Sequence, residues 1–333
     1  MMTSTQDAPA PAPSRPVGGR STRPALAHVI SEYAVLFVVG LVAIVLALIN
    51  ESFRSSNNLT NVLTQCAVVG VLACGVAVVF IAGEFDLSIG AIYSVAPLIA
   101  AAAVSSVGGI GGILAGIAAG AAMGLVNGLL VSAGRINAFM ATLSTSFLLG
   151  GVGVLLTEGT PQFIHDETFL SLGRAAFLGL SFPVFVLAGV TLLLTVVLQA
   201  TKFGRWVYAT GGNKEAARLS GVNVTFVKSM AFVISGAAAG LAGTMASAQI
   251  GAADPNAGLS LVLFPIAAVV VGGISIYGGE GAVWRAVAGI LLLVLINNGF
   301  NLLGINALFS QIVQGSVILI AVAIDAWTRK TRG

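Results

Sequence analysis

Glu84 and Asp86 sit in IAGEFDLSIGA, at the junction of two apolar segments, and Glu280 sits at the corresponding place in YGGEGAVW. A charged side chain at mid-bilayer costs about 2.5–3.5 kcal/mol on insertion scales. Such acids must face a cavity, pair with a base, or lie near an interface. Gly83, Gly90, Gly278, Gly279 and Gly281 flank them and point to backbone that is not simple helix. Broken backbone at depth is tolerated only where protein or water covers it. Two readings stand: turns that line or gate a pathway, or turns that fix helix packing just inside the cytoplasmic face. Asp86 followed by Ser88 also resembles a helix start, with an acid near the helix N-terminus.

Hydroxyls and amides come next. Asn127, Asn137, Thr142, Ser144, Thr145, Ser146, Asn297, Asn298 and Asn301 lie in or beside apolar runs. They can hydrogen-bond a polar, uncharged solute, or bond helix to helix for ~0.6 kcal/mol each. The candidate pathway or gate set is Glu84, Asp86, Ser88, Asn127, Asn137, Thr142, Ser144, Glu280 and Asn298.

Other chemistry is absent from the sequence. No GxxxxGK[ST] phosphate loop occurs, and Gly211-Gly212-Asn213-Lys214 lacks both the spacing and a preceding strand. Any ATP would be hydrolysed on another chain. There is no GxSxG nucleophile turn and no HExxH zinc helix. His28 lies at a tail boundary, and His165, beside Asp166 and Glu167, reads as a solvated loop residue. Cys66 and Cys74 share one apolar run and read as core thiols. The acids are too few, and too near one face, for a proton wire. No catalytic residue, metal site or bound cofactor is expected on this chain.

The elements that carry these residues are membrane helices. Hydrophobic residues are 57% of the 333 and charged residues 8%, against roughly 25% charge in a soluble domain. Glycine, at 42 residues, suits close helix packing. Alternating strand patterns are absent, which argues against a β-barrel, and no basic stripe suggests nucleic acid. The expectation is an all-α polytopic membrane protein with about ten transmembrane helices. Their apolar segments are 31–49, 60–81, 87–106, 109–131, 138–157, 179–200, 229–250, 261–276, 284–303 and 308–327. The third and eighth are the ones open to being broken or re-entrant. Residues 1–25 read as a disordered cytoplasmic tail, 26–328 as the transmembrane domain and 329–333 as a basic tail.

Charge sets the orientation. With the N-terminus in the cytoplasm, only Arg54 and Arg174 of the 15 Lys and Arg residues fall outside. This follows the positive-inside rule and makes both termini cytoplasmic. The one long polar insert, 201–228, then faces the cytoplasm, with Lys202, Arg205, Lys214, Arg218 and Lys228 against the single acid Glu215. The main external loop is 158–178.

The chain also echoes itself. Asn127-Gly128 with Ile136-Asn137-Ala138-Phe139 matches Asn298-Gly299 with Ile305-Asn306-Ala307-Leu308. AVVFIAGEFDLSIG (77–90) faintly matches AVVVGGISIYGGEG (268–281). The fourth and ninth segments run in opposite directions, so the repeat reads as inverted, as in many transporters. Chance similarity among Gly/Leu/Asn-rich segments is the alternative.

Four stretches together resemble the ribose-type sugar ABC importer permeases, and more distantly the branched-chain amino-acid permeases. They are GEFDLSIG (83–90), GLVNGLLV with INAFMATLST (124–145), GRWVYATGGNKEAARLSGVNV (204–224) and VVGGISIYGGEGAV (270–283). The resemblance covers roughly residues 30–328. It implies a multi-pass permease of the bacterial inner membrane that carries a monosaccharide or similar small polar solute. A second permease subunit, identical or not, would complete the pathway. Separate ATPase subunits, with their ATP and Mg, would dock beneath, and a periplasmic or lipid-anchored binding protein would deliver solute. ATPase coupling would fall to Gly204, Arg205, Tyr208, Glu215, Ala216, Ala217, Arg218 and Gly221. Two departures stand out. Glu84-Phe85 occupies the place of a common Gly-Ile-type pair, and the Ile-x-Leu-Pro tail of many other ABC importer loops is missing. The competing reading is a stand-alone ion- or proton-coupled carrier working through Glu84 or Asp86. A non-transporting scaffold is a third.

Overall fold

Helix ends in this chain are written by short polar side chains. In the computed structural model, residues 25–305 except Ser260 are described, with isolated positions between 309 and 323 and side chains from Tyr33 onward. Helix α1 spans Ala25–Ile49. Asn50 accepts from the Ser52 N–H to open a 3-10 turn, and Ser55 accepts from the Asn58 N–H to start α2, Ser56–Ile81. Helix α3 is Ile89–Ser132, and α4 is Ala138–Thr157, capped by Asn137. Each cap satisfies N–H groups that the first helical turn leaves unpaired.

The segment between α4 and α6 follows, with strand β1 at Gln162–Phe163 and helix α5 at Glu167–Arg174, capped by Asp166. Strands β2, Ala176–Phe177, and β3, Leu180–Ser181, form a hairpin. Helix α6 is Phe182–Ala200, with Pro183 in its first turn. Helices α7, Lys202–Gly212, and α8, Lys214–Leu219, are capped by Thr201 and Asn213. Helix α9, Val224–Ile250, starts at Asn223 and ends at Gly251. Strand β4, Ala252–Ala253, pairs antiparallel with β1, and α10, Leu263–Val271, and α11, Val283–Leu302, complete the described chain.

Six helices among the described residues are long and apolar enough to cross a membrane. One of them, α3, is two arms. Gly108 leaves the helix at φ 71° and ψ 177°. Beyond it, Gly112 packs on Ala100 and Val104, and Gly116 on Ala96 and Ala100. Arms 89–107 and 109–132 therefore fold back on each other, where the sequence pattern separates segments three and four. The fifth segment matches α4 residue for residue. The eighth contains only the nine residues of α10, well short of the roughly 20 that a span needs. The tail 1–24, the tail 324–333 and most of the tenth segment lie outside the described residues.

The 201–228 insert departs most from expectation. It is almost wholly helical, and α9 begins five residues before the expected start at 229, because Asn223 accepts from the Phe226 N–H. The 158–178 loop likewise holds a buried helix face, with Phe169, Leu170 and Leu172 inside.

Helix α3 packs most extensively on α9, and the contact is made of glycine. A Cβ on Gly120 would stand 2.3 Å from the Gly236 carbonyl oxygen, and one on Gly236 2.2 Å from the Gly120 oxygen. Gly124 meets Phe232 and Gly128 meets Ser229 in the same way. In a bilayer, lipid tails are as apolar as leucine, so helices associate through such close backbone approach. Gly236→Val should lower detergent-solubilised stability by at least the ~1–3 kcal/mol of an overpacked core. Gly150→Ala, which meets nothing within 4 Å, should leave the melting curve unchanged. Equal melting temperatures for the two variants would refute the packing argument.

Candidate functional site: a glycine joint, a polar lock and a cavity

Helices α2 and α10 end alike. Ala82, Gly83 and Glu84 donate back to Val78, Phe80 and Val79, and Gly272, Gly273 and Ile274 donate back to Ala268, Val270 and Val269. Gly83 has φ 79° and Gly273 φ 80°. This is the paired 6→1 and 5→2 closure that a left-handed residue after a helix allows. The backbone match runs one residue out of step with the letter match of 77–90 to 268–281. It sets Ile274, not Glu280, opposite Glu84.

The turn after α2 is held by two acids. Asp86 is 1% exposed. Its Oδ1 accepts from the Ser88 N–H at 3.0 Å and the Ser88 hydroxyl at 2.6 Å, and its Oδ2 accepts from the Ser235 hydroxyl at 2.8 Å. The Asn127 amide donates to Ser88 Oγ at 2.7 Å. Thr142 Oγ1 accepts from the Leu87 N–H at 3.1 Å. Asp86, Ser88, Asn127 and Thr142 thus form one buried polar lock joining α3, α4 and α9, and every carboxylate oxygen is engaged. Glu84 forms an ion pair with Lys228 that is mostly withdrawn from solvent. Lys228 and Ser235 stand two turns apart on α9, so this helix grips the turn at two points. Sequence reasoning took Lys228 for a loop base and passed over Ser235, an unremarkable serine in an apolar helix.

The other candidates lie apart. Asn137 accepts from Phe139 and Met140 as the α4 cap. Ser144 is exposed on α4. Asn298 exchanges amide hydrogen bonds of 2.7 and 3.1 Å with Asn58, joining α11 to α2. Glu280 is exposed in the turn after α10, where its carbonyl accepts from the Ser275 N–H.

That turn, the turn after α2 and the end of α7 meet at glycines, backbone against backbone. The Gly279 N–H donates to the Ile81 carbonyl at 2.9 Å. A Cβ on Gly211 would lie 1.9 Å from that same oxygen and 2.5 Å from Gly279 N. One on Gly278 would lie 2.6 Å from Gly83 Cα, and one on Gly279 2.7 Å from Gly212 Cα. The Tyr208 hydroxyl adds a 2.9 Å bond to the Gly281 carbonyl. Burial raises the Tyr208 phenol above its usual range, with Arg285 opposing, so the hydroxyl keeps its proton and remains a donor.

The rest of the insert presents a face. Gly204 is pressed against Leu198, and Arg205 is exposed and donates to the Thr201 carbonyl. Glu215 and Arg218 pair at 2.8 Å on the exposed side of α8. Ala216 is exposed and Leu219 is 84% exposed, but Ala217 is buried. Ala217, one of the residues expected to take part in ATPase coupling, therefore packs inside the chain. Gly221 turns the chain at φ 82°.

At the far end of α9 lies a cavity of about 620 Å³. Gln65 of α2, Tyr93 of α3, Gln249 of α9, Phe264 of α10 and Asn297 of α11 line it. None of the nine candidate pathway residues is in its described lining. Gln65 and Gln249 are amides in apolar helices, the same signal that picked out the asparagines.

Breaking the Glu84–Lys228 pair one side at a time should destabilise more than removing both. Glu84→Gln/Lys228→Met should therefore melt above Lys228→Met, with a coupling of about 0.5–3 kcal/mol in a double-mutant cycle. Strict additivity would mean that the pair holds nothing.

Comparison with known proteins gives a consistent picture. Residues 58–322 match the family model described as branched-chain amino acid transport system / permease component. The chain is 40% identical to the ribose import permease protein RbsC of Bacillus subtilis over 86% of its length and 89% of that protein. It is 38% identical to RbsC of Escherichia coli over 90% and 94%. It is 33% identical to the L-arabinose transport system permease protein AraH of Escherichia coli over 90% and 92%. No solved structure matches it.

Proposed function

Because the chain belongs to the family of branched-chain amino acid transport system permease components, we propose that it is the permease subunit of an ABC importer for a monosaccharide or similar small polar solute. It is a multi-pass protein of the bacterial inner membrane. The named substrates of its relatives support the solute class. Energy comes from ATP hydrolysed with Mg on separate ATPase subunits, since this chain carries no phosphate loop. A second permease subunit completes the pathway, and an extracytoplasmic binding protein delivers the solute. In this reading about ten helices cross the membrane, both termini are cytoplasmic, and two inverted halves build the chain. The matching closures of α2 and α10 support the repeat.

One observation carries the mechanism. Four of the helices gathered at the glycine joint and the polar lock, α2, α3, α9 and α10, also line the cavity. Helix α8 offers Ala216, Leu219 and the Glu215–Arg218 pair to a cytoplasmic ATPase. When the ATPase moves α8, α7 and α9 follow as rigid rods. The joint then drives the turns after α2 and α10 together, because backbones in direct contact have no side chains to absorb the motion. Helix α9 reaches from Lys228 to Gln249, about 32 Å at 1.5 Å per residue, and carries the displacement to the cavity. A stand-alone carrier is less well supported. Asp86 and Glu84 are both engaged in fixing a turn and stand outside the cavity lining.

Leu219→Asp should leave the melting temperature within the ~0.5 kcal/mol scatter of surface substitutions but cut co-purification of the ATPase at least tenfold. Undiminished co-purification would remove α8 as the docking site. Tyr208→Phe should keep the ATPase bound while lowering ATP-driven uptake in proteoliposomes severalfold. Unchanged uptake per ATP would mean that the joint does not transmit.

A further inference from the structure

The cavity has a chemical character that the family match does not supply. No Asp, Glu, Lys or Arg is in its described lining, although Arg174 donates to the backbone carbonyl of the lining residue Gln249. Its walls are Val68, Phe264 and similar side chains, interrupted by three amides and the Tyr93 ring. An ion entering would shed water and meet no counter-charge. A solute with many hydroxyls and no charge would keep its hydrogen bonds. Small-molecule sites are built this way, mostly apolar with a few placed polar groups, within about 300–1,000 Å³.

One amide is left open. Gln249 lines the cavity, and its Nε2 is buried with no hydrogen-bond partner. A buried donor without an acceptor costs about 1–3 kcal/mol, so the position is kept for something that enters. The backbone of Gln249 is fixed from outside. Arg174 of α5 donates to its carbonyl at 3.1 Å, and Gly173 lies so close that a Cβ there would be 2.3 Å from its nitrogen. The side chain is therefore presented by a braced helix end, as a selective contact requires.

We propose that Gln249 is a solute-contacting, specificity-determining residue. Its Nε2 donates to a hydroxyl of an uncharged polyhydroxylated solute held in this cavity, with Gln65 and Asn297 as neighbouring amides. The proposal rests on the importer reading above. It goes further by placing a solute station inside one protomer, at the end of the chain remote from the ATPase.

The test uses the full chain with its ATPase and binding protein in proteoliposomes. Radiolabelled ribose, allose and arabinose are offered at saturation, followed by the mono-deoxy analogues of whichever sugar is carried. Gln249→Met keeps the length and removes the amide. It should lower the uptake rate about five- to tenfold, the worth of one hydrogen bond, with binding-protein-stimulated ATPase retained. For at least one analogue, the preference of the wild type for the full sugar should shrink by a similar factor. In a second measurement, the transported sugar should slow N-ethylmaleimide labelling of Ala246→Cys, in a background with Cys66→Ala and Cys74→Ala. Unaltered uptake and analogue selectivity in Gln249→Met overturns the proposal, and so does labelling that sugar does not slow. If the wild type shows no ATP-dependent uptake of any of the three sugars, the importer reading itself falls, and the station with it.

Discussion

The contact between the Gly279 N–H and the Ile81 carbonyl sets the terms for everything around it. Ile81 is the last residue of α2, and the final carbonyls of a helix have no partner within it. In water the solvent would take that role. Here a residue from the far end of the chain does so, and it can reach only because Gly211, Gly278 and Gly279 have no Cβ. A single methyl group at Gly211 would overlap the Ile81 oxygen. Three segments are thereby held at backbone distance: the turn after α2, the turn after α10 and the end of α7. Without that contact the α7–α8 insert would be an appendage. With it, the insert is geared to the two places where the long helices break.

Charge is distributed to suit this arrangement. The two acids that look costly from the sequence are both satisfied, by different means. Glu84 has a full counter-charge in Lys228, while Asp86 has three neutral donors from Ser88 and Ser235. Both reach α9, so its first half serves as a clamp. Its other end carries no ionisable group into the cavity and offers an amide instead. One helix thus joins an end that carries charge to an end that carries a neutral amide. The separation matters because a charge placed beside a neutral solute would bind water and ions in preference to it.

Some of this was legible in the sequence, and the parts that were not have definite causes. Apolar run length found α4 to the residue and located the break between the arms of α3. The Gly108-Gly109 pair signals the break, but not that the chain folds back there. Capping chemistry explains the earlier start of α9, since Asn223 is a helix start that a hydropathy window overlooks. Helix α7 was hidden because Gly211-Gly212 reads as a turn, whereas here glycine admits a neighbouring backbone. The polar lock was half visible. Asp86 and Asn127 stand out as polar groups in apolar surroundings, but Ser235, far along the chain, carries no local mark. The letter match of 77–90 to 268–281 runs one residue out of register with the shared closure of α2 and α10, because letters were matched where the common feature is the hydrogen-bonding at the helix end.

The Glu84–Lys228 pair also bears on how the protein is made. The two residues are 144 positions apart. At ribosomal rates of ~5–20 residues per second, Glu84 is synthesised about 7–30 s before Lys228, and Asp86 waits as long for Ser235. Throughout that interval Glu84 lacks its counter-charge, and Asp86 has the two Ser88 donors but not Ser235. Lys228 then arrives as the counter-ion that the turn has lacked. Final assembly of the first half is thus a late event in biogenesis, timed by a residue in the second.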